Sequence, residues 1–289
     1  MKINILTPDS KKPNLAAMKI SSYHKAQGDE IYLNFPLLNV DYTYASILFQ
    51  KTKDPIADLI GGPKYPEIKL PQKIDEMKPD YSLYPFMDYS LGYTYKACSR
   101  RCPFCVVPRQ KNEDTHYSIW SFHDAKFHKI GLLNNNTLAD PRWRETFNEI
   151  WDANLILIDL SGFDARLITD ESAEYIRGTK IWGQIHIAWD FIGDEDRVMR
   201  GVNCLLKAGV SPYKITCYVL MGYKSTEAED LFRLRKLKDI NILSFAMPYR
   251  KEVLPPVFLR AINKPQIQRG LDMSGDTYRS ITRQIKRAV

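Results

Sequence analysis

From residue 88 onward, short β-branched and aromatic runs alternate with amphipathic helical stretches, and this alternation limits the folds open to the chain more than any other feature. It predicts six strands, over 89–95, 129–134, 155–159, 184–189, 213–220 and 242–247. Helices are predicted over 140–151, 171–178, 195–208 and 226–238. Thr169 or Asp170 opens the second helix and Gly209 closes the third. Glu227 puts an acidic side chain in the first turn of the fourth, where the helix dipole favours it. Strands joined by helical crossovers imply an α/β fold with a parallel sheet and right-handed connections. Closed or partly closed, such a sheet is a β/α barrel whose chemistry gathers at the C-terminal ends of its strands.

A smaller α/β unit precedes it, over 1–80. A strand at 2–6 leads into a helix at 14–27. In that helix Ala16, Ile20 and Tyr23 recur at helical spacing, while Lys12, Lys19 and Lys25 are expected to face water. Strands follow at 30–33 and 44–49, then an apolar segment ended by Gly61 and Gly62. Residues 61–84 are rich in Pro, Lys and Asp, and Gly61-Gly62-Pro63-Lys64-Tyr65-Pro66 punctuates them as a boundary. The barrel is expected over 81–250 and a basic C-terminal segment over 251–289.

With 289 residues the chain can form one large domain or two unequal ones. Its longest apolar runs, such as 154–160, are too short to cross a bilayer, so no membrane partner is expected. The N-terminus reads as a strand rather than a secretory signal, which places the chain in the cytoplasm. The five cysteines are an odd number, and three fall in one run, unlike a secreted disulfide framework. Cys204 and Cys217 stand apart and read as small buried core residues. The net charge is +7. Basic residues cluster at Arg100, Arg101, Arg109 and Lys111, and again at Arg279, Arg283, Lys286 and Arg287. That balance suits anionic partners, nucleic acid or nucleotides among them, and equally a solvated basic surface.

The crowded cysteines are Cys98, Cys102 and Cys105, in Ala97-Cys98-Ser99-Arg100-Arg101-Cys102-Pro103-Phe104-Cys105. Their loop directly follows the first barrel strand. Thiolates suit zinc or iron–sulfur clusters. Structural zinc normally takes four protein ligands, and His116 could complete a Cys₃His set. A thioredoxin-like redox pair would leave Cys98 without a role.

The spacing Cys-x₃-Cys-x₂-Cys, with Phe104 before the last cysteine and a barrel strand before the first, resembles the radical S-adenosylmethionine superfamily. The resemblance implies a partial (β/α)₆ barrel with a small N-terminal Rossmann-like unit. It implies a [4Fe–4S] cluster held by Cys98, Cys102 and Cys105, with S-adenosylmethionine chelating the fourth iron. One electron, from an external donor, then cleaves the cofactor to a 5′-deoxyadenosyl radical that abstracts hydrogen from substrate. Asn134, Asn135 and Asn136 occupy the place of the Gly-Gly-Glu-like segment that meets the methionyl amine in such proteins. An Asn carbonyl can accept from an ammonium but brings no charge; the alternative is a left-handed turn after the strand. Ser161-Gly162-Phe163-Asp164-Ala165-Arg166 is similar to Gly-x-Asp-x-Arg segments of members with a cobalamin-domain-like N-terminal region. There Arg166 would fork onto the methionyl carboxylate, or else pair with Asp164 in the barrel wall. Asp190 would meet ribose hydroxyls or cap a helix. Gly222 partly matches a Gly-x-Ile-x-Gly segment that packs on adenine, and the main chain at Met247 could read the adenine edge. Apolar core is the other reading of Met221 and Met247.

The N-terminal unit contains one histidine, His24, without the Asp-x-His-x-x-Gly segment that ligates cobalt in such proteins, so cobalamin bound through such a ligand is not expected. No further cysteine cluster is present for a second iron–sulfur centre, which argues against methylthiotransfer. Methyl transfer, sulfur insertion and rearrangement stay open. Tyr93, Tyr95, Trp120 and Trp189 could stack on a base or serve as core. A zinc-stabilised binding protein is the competing reading.

Overall fold

The computed structural model describes residues 1–35 and 39–288, except for the side chains of Lys251, Ala288 and Arg287, the last of which belongs to the basic cluster above. The chain is α/β with parallel sheets and forms two compact units, Met1–Ile158 and Asp159–Val289. Among the described residues no helix is long and apolar enough to cross a membrane.

The first unit opens with β1 (Lys2–Leu6), α1 (Leu15–Lys25), β2 (Glu30–Leu33), β3 (Tyr42–Ser46) and β4 (Leu59–Gly61). They build a sheet in the order β2-β1-β3-β4, parallel throughout, with Ile3 opposite Ile31 and Tyr42. Ile3, Ile5, Ala17, Ile20 and Ile74 form its core. The Asn14 side chain caps α1 by accepting from Ala17 N at 3.0 Å. Of the three residues expected on the inner face of α1, only Ile20 is buried. The buried face is Ala17, Ile20, Ser21 and His24, with Met18 beside it. Lys19 does not face water. It is half-buried, 3.0 Å from Asp75. β3 ends earlier than predicted because Asp9 intercepts the backbone: its carboxylate accepts from Leu48 N and Phe49 N at 3.0 and 2.9 Å.

Next come α2 (Gln72–Asp75), β5 (Ser90–Gly92), α3 (Val107–Gln110), β6 (Lys129–Leu132), α4 (Trp143–Asp152) and β7 (Ile156–Asp159), which runs to the boundary. β5 pairs in parallel with β6, and β6 neighbours β7. β5 is shorter than predicted, since Thr94 N and Tyr95 N turn to a side chain instead of a neighbouring strand. Helix α4 starts three residues late because Asp140 caps the preceding turn, accepting from Arg142 N at 2.8 Å.

The second unit contains α5 (Asp170–Gly178), β8 (Ile181–Trp182), β9 (Ile185–Trp189), α6 (Glu195–Lys207), β10 (Ile215–Met221), α7 (Glu227–Asp239) and β11 (Leu243–Pro248). It ends with α8 (Pro256–Ile262), α9 (Pro265–Gly270) and α10 (Tyr278–Ala288). Strands β9, β10 and β11 are parallel neighbours in chain order. One face of this sheet buries Ile187, Trp189, Cys217, Val219 and Ala246. Helices α6 and α7 pack on the sheet and bury Val202, Leu205, Leu234 and Leu237. Burial of this kind is the main favourable term in folding. Two capping boxes start helices, Thr169 with Ser172 and Thr226 with Glu229. Cys217 is buried as expected. Cys204 is not: it is only half-buried, with its thiol pushed up by burial and by a hydrogen bond with Asp170.

Candidate metal centre

Cys98, Cys102 and Cys105 are half-buried and form no disulfide. A tight turn closes the loop, with Cys105 N donating to Cys102 O at 3.0 Å. Backbone amides point at two of the sulfurs. Arg100 N donates to Cys98 Sγ, and Val107 N to Cys105 Sγ, each at 3.4 Å. Donors of this kind tune the potential of an iron–sulfur cluster.

The three consecutive asparagines hold the loop in three different ways. Asn134 is fully buried. Its Oδ1 accepts from Thr94 N and Tyr95 N at 2.8 and 3.1 Å, and its Nδ2 donates to Thr94 Oγ1 and Thr137 Oγ1 at 2.8 and 3.2 Å. The protein thus fills its hydrogen-bonding capacity. Asn135 Nδ2 donates to Lys96 O at 2.6 Å, and Asn112 Nδ2 reaches the same carbonyl at 2.9 Å. Asn136 Nδ2 lies 3.7 Å from Cys98 Sγ. None of the three has a positive φ, so the left-handed-turn reading is corrected: the run grips the cysteine loop with its side chains.

Lys96 extends the site. Its ammonium pairs with Asp75 and lies 5.9 and 5.7 Å from the Tyr93 and Tyr117 ring centres. Asp75 is shared with Lys19. Burial alone would raise the Asp75 carboxyl, but the two ammonium groups outweigh it and hold it below its ordinary value. Lys19 is lowered, chiefly by burial. His116, the candidate fourth zinc ligand, is half-buried as a residue but its side chain is only 5% exposed, with Nδ1 2.6 Å from Asp140. His24 has both ring nitrogens engaged, with Asp29 at 2.7 Å and Tyr44 Oη at 3.0 Å.

Among the described residues no three His, Cys, Asp or Glu side chains close on a single metal-ion position. Cubane ligands need not do so, because each thiolate bonds a different iron corner and the sulfurs spread around the cluster. Three thiols in one loop, with amide hydrogens directed at Cys98 and Cys105, are a donor set that fits such a cluster.

The other candidates gather at strand ends in the second unit. Arg166 donates from Nε and NH2 to the two Asp164 oxygens at 2.7 and 3.0 Å, and from NH1 to Asp194 at 2.8 Å. The fork expected on a cofactor carboxylate is thus closed on protein carboxylates, which push the guanidinium further up despite burial. Asp190, just after β9, caps no helix: neither the turn at Ile192–Asp194 nor α6 takes its side chain as a cap. Its half-buried carboxylate makes no hydrogen bond with any described residue, and burial raises it against the opposing pull of Arg166 and Arg233. Gly222 has φ +71°, and a Cβ there would lie 2.2 Å from Val253 Cγ1, so the chain itself requires glycine. Met221 is core. Met247 is not: it is 45% exposed, on the same face of β11 as Phe245.

Sequence reasoning missed a buried staple at these strand ends. Arg233 donates to Trp189 O, Asp190 O and Leu220 O at 2.7, 2.9 and 2.8 Å, and pairs with Asp230. Asp230 also accepts from Gly222 N at 2.8 Å and from the Tyr278 hydroxyl. The available signal was two charged residues inside the apolar stripe of α7, beside Leu231, Leu234 and Leu237. His186 was also missed. It lies on the sheet face opposite Ile185 and Ile187, with Nδ1 3.0 Å from Asp159 O and its ring 5.4 Å from that of Tyr218. No protein-family model matches the chain, and no curated protein matches it significantly.

Proposed function

We propose that the chain is a radical S-adenosylmethionine enzyme in which Cys98, Cys102 and Cys105 hold a [4Fe–4S] cluster. On this reading the parallel strands from β5 to β11 belong to a partial (β/α)₆ barrel, and the sheet of β1 to β4 is a Rossmann-like unit before it. Bound together, cluster and S-adenosylmethionine supply one-electron cleavage of a carbon–sulfur bond and a radical for hydrogen abstraction. The amides of Arg100 and Val107 and the Asn136 side chain would donate to the sulfurs that hold the cluster and so tune it. Asn134 and Asn135 fix where the loop leaves β5. Asp190 offers to ribose hydroxyls a carboxylate that makes no hydrogen bond with any described residue, and Arg166, held between Asp164 and Asp194, places positive charge near it. Partners on this reading are an electron donor and an anionic or nucleotide-type substrate.

The observation carrying the proposal is the three-thiol loop after a parallel strand, with amide hydrogens directed at its sulfurs. Its test is anaerobic reconstitution with iron and sulfide. The expected result is brown protein with about four irons per chain, and loss of that iron when any one of Cys98, Cys102 or Cys105 becomes alanine. Colourless protein with one zinc per chain, lost on His116→Ala, would establish the zinc reading instead.

A further inference from the structure

We propose that the exposed face of α10 is a nucleic-acid docking surface that grips the phosphate backbone. The inference does not depend on the cysteine loop. Residues 251–289 contain eight Lys or Arg against three Asp or Glu, and so carry five of the seven net positive charges. On α10 these charges are sorted by face. Tyr278, Ile281 and Ile285 are buried, while Arg279, Arg283 and Lys286, at i, i+4 and i+7, are exposed. That stripe places three cations along about 10 Å of helix. Among the described residues no side chain of the three has a hydrogen bond or ion pair. Like charges four apart weaken a helix, so the stripe is a strain on the free protein that a polyanion would relieve.

The occupant follows from what the other face does. An amphipathic helix joins a bilayer through its apolar side. Here that side is taken: α10 packs on α8, with the Phe258 and Tyr278 rings 5.2 Å apart, and Tyr278 is tied to Asp230 and through its N–H to Glu227 at 2.8 Å. Among the described side chains of α10 the exposed ones are Arg279, Arg283 and Lys286, which suits phosphates and not acyl chains. A second observation points the same way. Elsewhere in the unit Tyr213 is 51% exposed, with the Arg269 guanidinium 5.1 Å above its ring, a pair of the kind on which bases stack.

The test measures binding of the whole chain to a fluorescent single-stranded RNA between about 50 and about 200 mM salt. Each phosphate neutralised contributes about 0.7 to the log–log salt slope on single strands. Combined Arg279→Gln, Arg283→Gln and Lys286→Gln should lower that slope by about 2 and weaken binding at least about tenfold at the low-salt end. Arg283→Gln alone, the milder change, should lower it by about 0.7. Replacing exposed Lys11, Lys51 and Lys53 together by Gln should leave the slope unchanged. The proposal is overturned if the wild-type chain does not bind RNA, or if the α10 variants keep the wild-type slope. It is equally overturned if the control set loses as much, or if α10 governs binding to phosphatidylserine vesicles and not to RNA.

Discussion

One side-chain amide fixes the turn where β5 becomes the cysteine loop. Asn134 makes four hydrogen bonds there while fully buried, so Asn134→Ala should destabilise the chain by roughly 3 kcal/mol, since each bond contributes about 1 kcal/mol net and orphaned partners add to the loss. Urea unfolding measures it; a loss under roughly 1 kcal/mol would refute the role. Asn136→Asp exchanges a donor for a negative charge beside Cys98 Sγ. Reconstituted protein should keep its iron and show a lower cluster midpoint potential, and an unchanged potential would break the link between amide and sulfur. At Asp190 the sign runs opposite to that of an ordinary ion-paired carboxylate. Burial raises it, so the folded chain binds this proton more tightly than the unfolded one. Its contribution is fully present below about pH 4 and is lost as pH rises through the raised folded value. Asp190→Asn should therefore gain stability relative to wild type at neutral pH and lose that gain in acid. Parallel stability curves for the two proteins would refute this.

Among the elements, α6 leaves no room for a side chain where Gly201 meets the Gly-x-Asp-x-Arg segment. A Cβ at Gly201 would lie 1.9 Å from Ala165 O. Gly201→Ala should push the Asp164–Arg166 turn off the helix and cost about 1–3 kcal/mol, visible as an earlier thermal midpoint; a melt matching wild type would show that the turn yields freely. In α7, Leu234 is fully buried. Leu234→Ala should cost about 2–5 kcal/mol by cavity formation, again read from urea unfolding.

At the scale of the molecule, the strands and helices were legible in the sequence because period and capping are local. β1 and β2 match the predicted spans, and the strands from β9 to β11 lie within a residue or two of theirs. Side-chain partnerships were not legible. Lys19 looks like a surface lysine until α2 brings Asp75 beside it, 56 residues away. The asparagine run looked like a ligand contact or a turn. Its work, gripping Thr94, Lys96 and Cys98, depends on β5 and β6 pairing first. Arg166 had its partners in part: Asp164 is two residues away, whereas Asp194 arrives only through the fold. The alternation likewise gave no sign that the basic C-terminal stretch would belong to the same compact unit as β9 to β11.

The shared acceptor Asp230 has a practical corollary for anyone shortening this chain. A version ending before Tyr278 would strip one of its three donors and uncover Phe258, even though the excised stretch looks like a dispensable tail. Loosening would then travel through Arg233 to the tips of β9 and β10. Fusion partners and affinity tags for solution work therefore belong beyond the final helix, never in place of it.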